Sequence, residues 1–251
     1  MAELDLVMPM AGRGSRFAKQ GFHMPKPLVP LAGKPFYAWA VESVASKATV
    51  RDMVFVVLRE HVDAYAIDRD ILARYPAARL VVIDDVTSGA AETASIGIAA
   101  LDADRPLAIN DCDHAFDATG LAATVDALAA GDCAATLLGF RSANPGFSYV
   151  RFDGDTATGR VTGTIEKQVA SPFAIAGCYL FGARGLFDAF YERYRRDCPY
   201  PELFVSGIYN TLLEAGRPVG FQELRRHVPF GTPEELAAVD PDRLASVCEG
   251  G

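Results

Sequence analysis

Apolar residues fall in short blocks separated by glycine, proline and polar clusters, and the blocks alternate between strand-like and helix-like periods. Leu4 to Met8 is mostly apolar and leads into Met10-Ala11-Gly12-Arg13-Gly14, the pattern of a buried strand ending in a glycine-rich turn. Phe36 to Ser46 has helical spacing, and Met53 to Leu58 is a β-branched run suited to a strand covered on both faces. The alternation repeats three times: helix Val62 to Tyr75 then strand Ala78 to Ile83, helix Ala91 to Leu101 then strand Pro106 to Ile109, helix Gly120 to Ala130 then strand Ala134 to Phe140. This order predicts an α/β chain with a Rossmann-like, doubly wound, mostly parallel sheet and right-handed crossovers.

From Ser148 the pattern changes. Tyr149 to Lys167 reads as two β-like runs joined by a turn rich in Gly, Asp and Thr, which predicts an antiparallel hairpin added to the sheet. Ala174 to Phe181 follows as a strand, Leu186 to Tyr194 and Tyr200 to Ala215 as helices, Val219 to Leu224 as a strand, and Pro233 to Ala238 and Pro241 to Val247 as terminal helical turns. No Pro/Ser-rich linker, low-complexity tract or fixed-period repeat interrupts the chain, so one domain over residues 1–251 is expected.

Half the residues are apolar and 22% are charged, an ordinary soluble globular composition. The formal charge of -8 excludes the broad basic surface that nonspecific nucleic-acid binding needs. Arg13, Arg16, Lys19, Lys26 and Lys34 nevertheless cluster near the N-terminus, where a phosphate-sized anion could be held. The five cysteines, Cys112, Cys133, Cys178, Cys198 and Cys248, contain no CxxC pair and read as reduced thiols. The first residues carry acids where a secretory signal carries bases, and no apolar run approaches the roughly 18 residues of a bilayer span. A cytoplasmic protein without membrane association is expected.

Gly12 and Gly14 remove side chains where loop N–H groups can approach phosphate oxygens, although a tight strand-to-helix turn without a ligand has the same signature. The segment matches neither G-x-x-x-x-G-K-[ST] nor G-x-G-x-x-G, because position 17 is Phe. Pro25 and Pro27 stiffen the chain on both sides of Lys26 and hold one cation in a fixed direction, as charge stabilisation in phosphoryl or nucleotidyl transfer requires. Asn110-Asp111-Cys112-Asp113-His114 follows an apolar strand, placing carboxylates where α/β sheets hold ligands. One or two such carboxylates suffice for phosphate-bound Mg²⁺, which prefers oxygen to the imidazole of His114. Ser88-Gly89-Ala90 read alone is a capped helix start, and Glu166-Lys167 read alone is a surface ion pair.

Taken in order, MPMAGRGSRF, PKPLVPLAGKP, Ser88 to Thr93, the Asn110 to His114 segment, Glu166-Lys167 and Ala176 to Phe181 resemble the sugar-phosphate nucleotidyltransferase family (NTP transferases). Phe204 to Asn210 is similar to the capsule and surface-polysaccharide branch of that family. The resemblance implies a nucleotide-binding part over about 1–140 and an acceptor-binding part over about 141–251. It implies that Ala11, Gly12, Gly14, Ser15 and Arg16 wrap the triphosphate, with Arg16 at the leaving phosphates and Lys26 at the α-phosphate. Ser88, Gly89 and Ala90 would meet base and ribose, and Asp113, favoured over Asp111, would hold Mg²⁺. Glu166, Lys167, Gly177 and Tyr179 would hold the acceptor. The implied activity is NMP transfer from an NTP, with a pyrimidine such as CTP or dTTP favoured, to a sugar phosphate, with pyrophosphate release. Oligomerisation is left open.

One departure stands out. Relatives carry D-x-G-T-P-E near the C-terminus, whereas this chain reads Pro229-Phe230-Gly231-Thr232-Pro233-Glu234 and offers no side-chain ligand at Pro229. Either Glu223, Asp111 or His227 supplies a second protein ligand, or water and phosphate oxygens complete the shell. Two alternatives stay open: a cytidylyltransferase for a non-sugar phosphate such as phosphocholine or an amino-acid-like acceptor, which would share every motif above, with Phe147, Tyr149, Phe173 and Tyr179 as cage aromatics, and, given the missing aspartate, a noncatalytic nucleotide-sugar-binding homologue.

Overall fold

A computed structural model describes residues 3–154 and 159–248. The chain begins with β1 (Glu3–Pro9), α1 (Ser15–Lys19), a 3₁₀ turn (Lys26–Leu28), β2 (Pro30–Leu31), β3 (Lys34–Pro35), α2 (Phe36–Ala45) and β4 (Thr49–Leu58). It continues through α3 (Arg59–Tyr65), α4 (Ile67–Arg74), β5 (Arg79–Ile83), α5 (Ala90–Ile98), β6 (Leu107–Asn110), β7 (His114–Phe116), α6 (Leu121–Ala130) and β8 (Ala135–Arg141). The second half comprises β9 (Tyr149–Phe152), β10 (Val161–Ile165), β11 (Phe173–Phe181), α7 (Arg184–Tyr194), α8 (Val205–Glu214), β12 (Val219–Glu223), β13 (His227–Pro229), α9 (Pro233–Ala237) and α10 (Pro241–Cys248). The hairpin β9–β10 forms as its pattern predicts, but residues 155–158 of its expected turn lie outside the described residues.

β1 alternates its side chains between two apolar layers. Leu4, Leu6 and Met8 pack with α2, α4 and α6, while Val7 packs with α5, α7 and α8. Strands β6, β1, β4 and β5 lie side by side and parallel. β11 runs antiparallel between β6 and β8, and β12 pairs parallel with β8, so six strands point one way around one reversed strand. The hairpin hangs from the first half of β11. The result is a Rossmann-like α/β fold with a nine-stranded, mostly parallel sheet.

β10 is an edge strand, and α8 covers it: the Asn210 side chain accepts from Thr164 N–H at 2.8 Å and donates to Thr164 C=O at 3.2 Å. A third apolar cluster joins distant parts of the chain, with Phe17, Phe36 and Trp39 against Phe230, Leu244 and Val247.

Two predicted helices differ. The expected helix Val62 to Tyr75 is broken at Ala66, which is left-handed at φ 52°. His61 and Ile67 are both buried but would lie roughly 120° apart on one continuous helix at about 100° per residue, so the break brings both inward. The expected helix from Tyr200 starts only at Val205, because Pro199 and Pro201 favour an extended chain. Among the described residues no helix is long and apolar enough to cross a membrane.

Candidate functional site

In the parallel part of the sheet the chain leaves β1 for β4 on one side and returns as β6 on the other. The loops after β1 and β6 therefore face each other across a topological switch point, where open α/β sheets hold ligands. A cavity of about 430 Å³ opens there, lined by Gly12, Gly14, Ser15, Arg16, Lys26, Ala90, Asp111 and Asp113. A Cβ on Gly12 would have nothing within 4 Å, so its backbone is open to an approaching group. Gly14 takes φ 60°, a conformation that favours glycine, and a Cβ there would lie 3.0 Å from Lys26 Cβ.

Lys26 Nζ lies 2.5 Å from Asp113 Oδ2, with each side chain about a quarter exposed (25% and 23%). Burial alone would lower the Lys26 ammonium, but attraction to Asp113 outweighs it and holds Lys26 above the ordinary lysine value. Burial likewise works against the Asp113 carboxylate, and Lys26 overcomes it, holding Asp113 below the usual range. Asp111 moves the other way, raised by burial and then by repulsion from Asp113. A divalent cation would relieve that repulsion, so the donor set fits Mg²⁺ shared with phosphate oxygens. Among the described residues no group of three or more His, Cys, Asp or Glu could hold a metal by protein ligands alone.

The N-terminal cations separate. Arg16 and Lys26 line the cavity, whereas Arg13 pairs with Glu60 at 3.3 Å and Lys34 with Glu42 at 2.5 Å. Ala11 packs on Val56 and Leu58 instead of lining the cavity. Ala90 lines it, but Ser88 and Gly89 are engaged by Leu203, whose N–H donates to Ser88 C=O at 2.9 Å and whose C=O accepts from Ala91 N–H at 2.8 Å. A Cβ on Gly89 would sit 2.5 Å from Leu203 N, so the glycine admits another stretch of backbone.

An adjoining cavity of about 520 Å³ shares Arg16, Asp111 and Asp113 and adds Glu166, Lys167, Gly177 and Tyr179. Ser148 Oγ donates to one Glu166 carboxylate oxygen at 2.6 Å and Ser206 Oγ to the other. Lys167 holds φ 53°, strained for a side-chain-bearing residue, and its Nζ lies over the Phe204 ring at 5.4 Å. Gly177 takes φ 76° where the register of β11 shifts; its C=O accepts Asp111 N–H at 2.9 Å, and a Cβ there would lie 2.8 Å from Asp111 Oδ2. Of the four cage aromatics, Phe147 and Tyr179 line the cavity, while Tyr149 and Phe173 are buried in the sheet's packing.

The C-terminal segment closes this wall. Pro229 of β13 pairs with His114 of β7, and Phe230 N–H donates to Asp113 C=O at 2.9 Å. Thr232 caps α9 in a reciprocal capping box with Glu235. Of the second-ligand candidates, Glu223 is held by Arg141 at 3.0 Å and lines neither cavity. His227 faces the second cavity with its Nε2 committed to His114, which leaves Asp111 beside Asp113. Sequence reasoning missed Glu202 and Phe204, which line both cavities, and Glu235, whose carboxyl burial and then Asp113 push up. Phe204 opens the Phe204 to Asn210 motif but carried no site role, and Glu235 carried the T-x-x-E spacing from Thr232.

Residues 7–145 match the MobA-like NTP transferase domain family. A nucleoside-diphosphate-sugar pyrophosphorylase from Vibrio cholerae RC9 is similar in structure, at 21% identity and TM-score 0.77, over 96% of this chain and 99% of that one. An inositol-1-phosphate CTP transferase from T. maritima is similar at 13% identity and TM-score 0.77, over 100% of this chain and 97% of that one. These likenesses establish the fold. No curated protein matches the chain by sequence.

Proposed function

Because the chain belongs to the MobA-like NTP transferase family, we propose that it transfers a nucleoside monophosphate from an NTP to a phosphorylated small molecule with release of pyrophosphate. The observation that carries this reading is the Lys26–Asp113 pair facing the open Gly12 backbone at the switch point. An acceptor phosphate oxygen attacks the α-phosphorus, a new P–O bond forms, and the bond to the β-phosphate breaks with its electrons leaving on pyrophosphate. The acceptor phosphate is already anionic near neutral pH, so no general base is needed. Lys26 balances charge at the α-phosphate and Arg16 at the departing phosphates, while Gly12, Gly14 and Ser15 hold the triphosphate by backbone and hydroxyl contacts. Asp111 and Asp113 would hold Mg²⁺, which supplies further charge neutralisation on the phosphates. Ala90 and its neighbours would meet the nucleoside, with a pyrimidine preferred, and Glu166, Lys167, Gly177 and Tyr179 the acceptor.

The acceptor favoured is a sugar phosphate, and the product an activated precursor for surface polysaccharide made in the cytoplasm, where nucleoside triphosphates are abundant. A second reading is favoured by Glu166, Glu202, Phe147, Tyr179 and Phe204 around one cavity: carboxylates and aromatic faces also suit a phosphorylated amine such as phosphocholine. Pyrophosphate release, screened over the NTPs against sugar 1-phosphates, inositol phosphate and phosphocholine, separates the readings. Silence across the panel with nucleotide binding retained would favour a noncatalytic homologue and overturn the assignment.

A further inference from the structure

Asp111 and Asp113 stand on a three-residue loop whose flanking residues touch. Asn110 Oδ1 lies 2.9 Å from His114 Nε2, closing the loop from i to i+4 with side chains that are 0% and 3% exposed. Resting on the reading of these carboxylates as a metal-holding pair, we propose that Asn110 and His114 form a staple that sets the spacing of Asp111 and Asp113, and that His227 fixes the ring orientation the staple needs.

The direction of every hydrogen bond follows from one backbone carbonyl. Ala40 C=O can only accept, so the Asn110 amide nitrogen must point at it, 2.9 Å away, and Asn110 Oδ1 must be the end facing His114. His114 Nε2 therefore carries the proton and its Nδ1 is an acceptor. His227 Nε2, 3.1 Å from that nitrogen, must donate, and Ala176 C=O at 3.3 Å is a second acceptor for the same proton. His227 Nδ1 is then a bare lone pair, buried without a partner, on a ring stacked 3.9 Å from Phe140. The chain of bonds runs one way, from β13 through β7 and β6 to α2.

The loop's main chain is anchored twice, at Asp111 N–H on Gly177 C=O and at Asp113 C=O under Phe230 N–H. Neither anchor fixes the distance between the ends of β6 and β7. The staple does, because it joins the last residue of β6 to the first of β7. These are positioning residues: they act through the carboxylates, and partners of this kind typically change metal affinity by about 10–100-fold when removed.

The test measures Mn²⁺ binding to the whole protein by electron paramagnetic resonance in the presence of inorganic pyrophosphate, a readout independent of turnover. His114→Phe should weaken Mn²⁺ binding by about 10-fold or more. His114→Gln, which can donate to Asn110 and accept from His227, should stay near the parent. Pyrophosphate affinity without metal should be unchanged in both. Parent-like Mn²⁺ binding by folded His114→Phe overturns the staple, as does equal loss in His114→Gln. Should His114→Phe fail to fold, His227→Leu decides, because it frees the His114 ring while sparing Asn110: weakened Mn²⁺ binding supports the staple, and parent-like binding overturns it. A parent that binds no Mn²⁺ while binding pyrophosphate overturns the metal-holding reading itself, and the staple's purpose with it.

Discussion

Lys26 and Asp113 meet at 2.5 Å although 87 positions separate them in the chain. One arrives on a proline-stiffened 3₁₀ turn after β1, the other just past β6, and the sheet brings these two strands side by side. Attraction between the two charges outweighs the burial of both, so the pairing favours the charged form of each.

Lys26→Ala should lower turnover by about 100–1000-fold, the range for losing one preorganised charge-stabilising group. It should also cost about 1–3 kcal/mol of stability by leaving Asp113 unpaired. Steady-state pyrophosphate release and urea unfolding check both, and near-normal turnover would sink the assigned role.

Asp113→Asn should abolish metal-dependent turnover and also release Lys26, whereas Asp111→Asn should retain a measurable rate with a raised Mg²⁺ requirement. Titrating each variant with Mg²⁺ separates them. If Asp111→Asn is the more damaging, Asp111 is the principal ligand.

Gly177→Ala places a methyl group in a left-handed residue and 2.8 Å from Asp111 Oδ2. The backbone conformation alone costs roughly 1–2 kcal/mol. The expected outcome is a modest drop in melting temperature with a larger loss of activity; activity equal to the parent would show that Asp111 does not need its present position.

Ser206→Ala removes one of the two hydroxyls that orient Glu166. Loss of a hydrogen bond to a charged group is worth about 1.5–3 kcal/mol, so the acceptor KM should rise about tenfold or more while the NTP KM stays level. A rise in both KM values would count against Glu166 as an acceptor contact.

The buried His61 gives the fold a pH dependence of its own. Burial pulls its pKa below 6.5, with Glu60 opposing only in part. The unfolded chain therefore takes up the proton first as pH falls, so the stability from a neutral His61 is complete above pH 6.5 and is lost below it. Melting curves between pH 7.5 and 5 should fall less steeply for His61→Phe than for the parent, and parallel curves would refute the assignment.

Much of this was legible before any coordinates. The apolar run of β1, the prolines around Lys26 and the carboxylates after β6 are local patterns, and local patterns survive folding. What sequence could not supply were meetings between remote segments. Gly89 reads as an opening for a ligand until Leu203 is seen lying against it, and the closeness of Gly177 to Asp111 has no trace in the sequence. Glu202 and Phe204 sit in a stretch whose prolines blur helix and coil, so they carried no periodic signal. The break at Ala66 was hidden because each half of the predicted helix is apolar on its own face.

Phe17 packs edge-on against Phe36 at 5.8 Å, and Phe36 against Phe230 at 4.6 Å, with Leu244 and Val247 of α10 in the same cluster. A ribosome translating this message makes the glycine loop long before its supporting floor. The nascent chain can assemble β1, β4 and β5 early, but the floor beneath the loop is complete only once α10 has emerged.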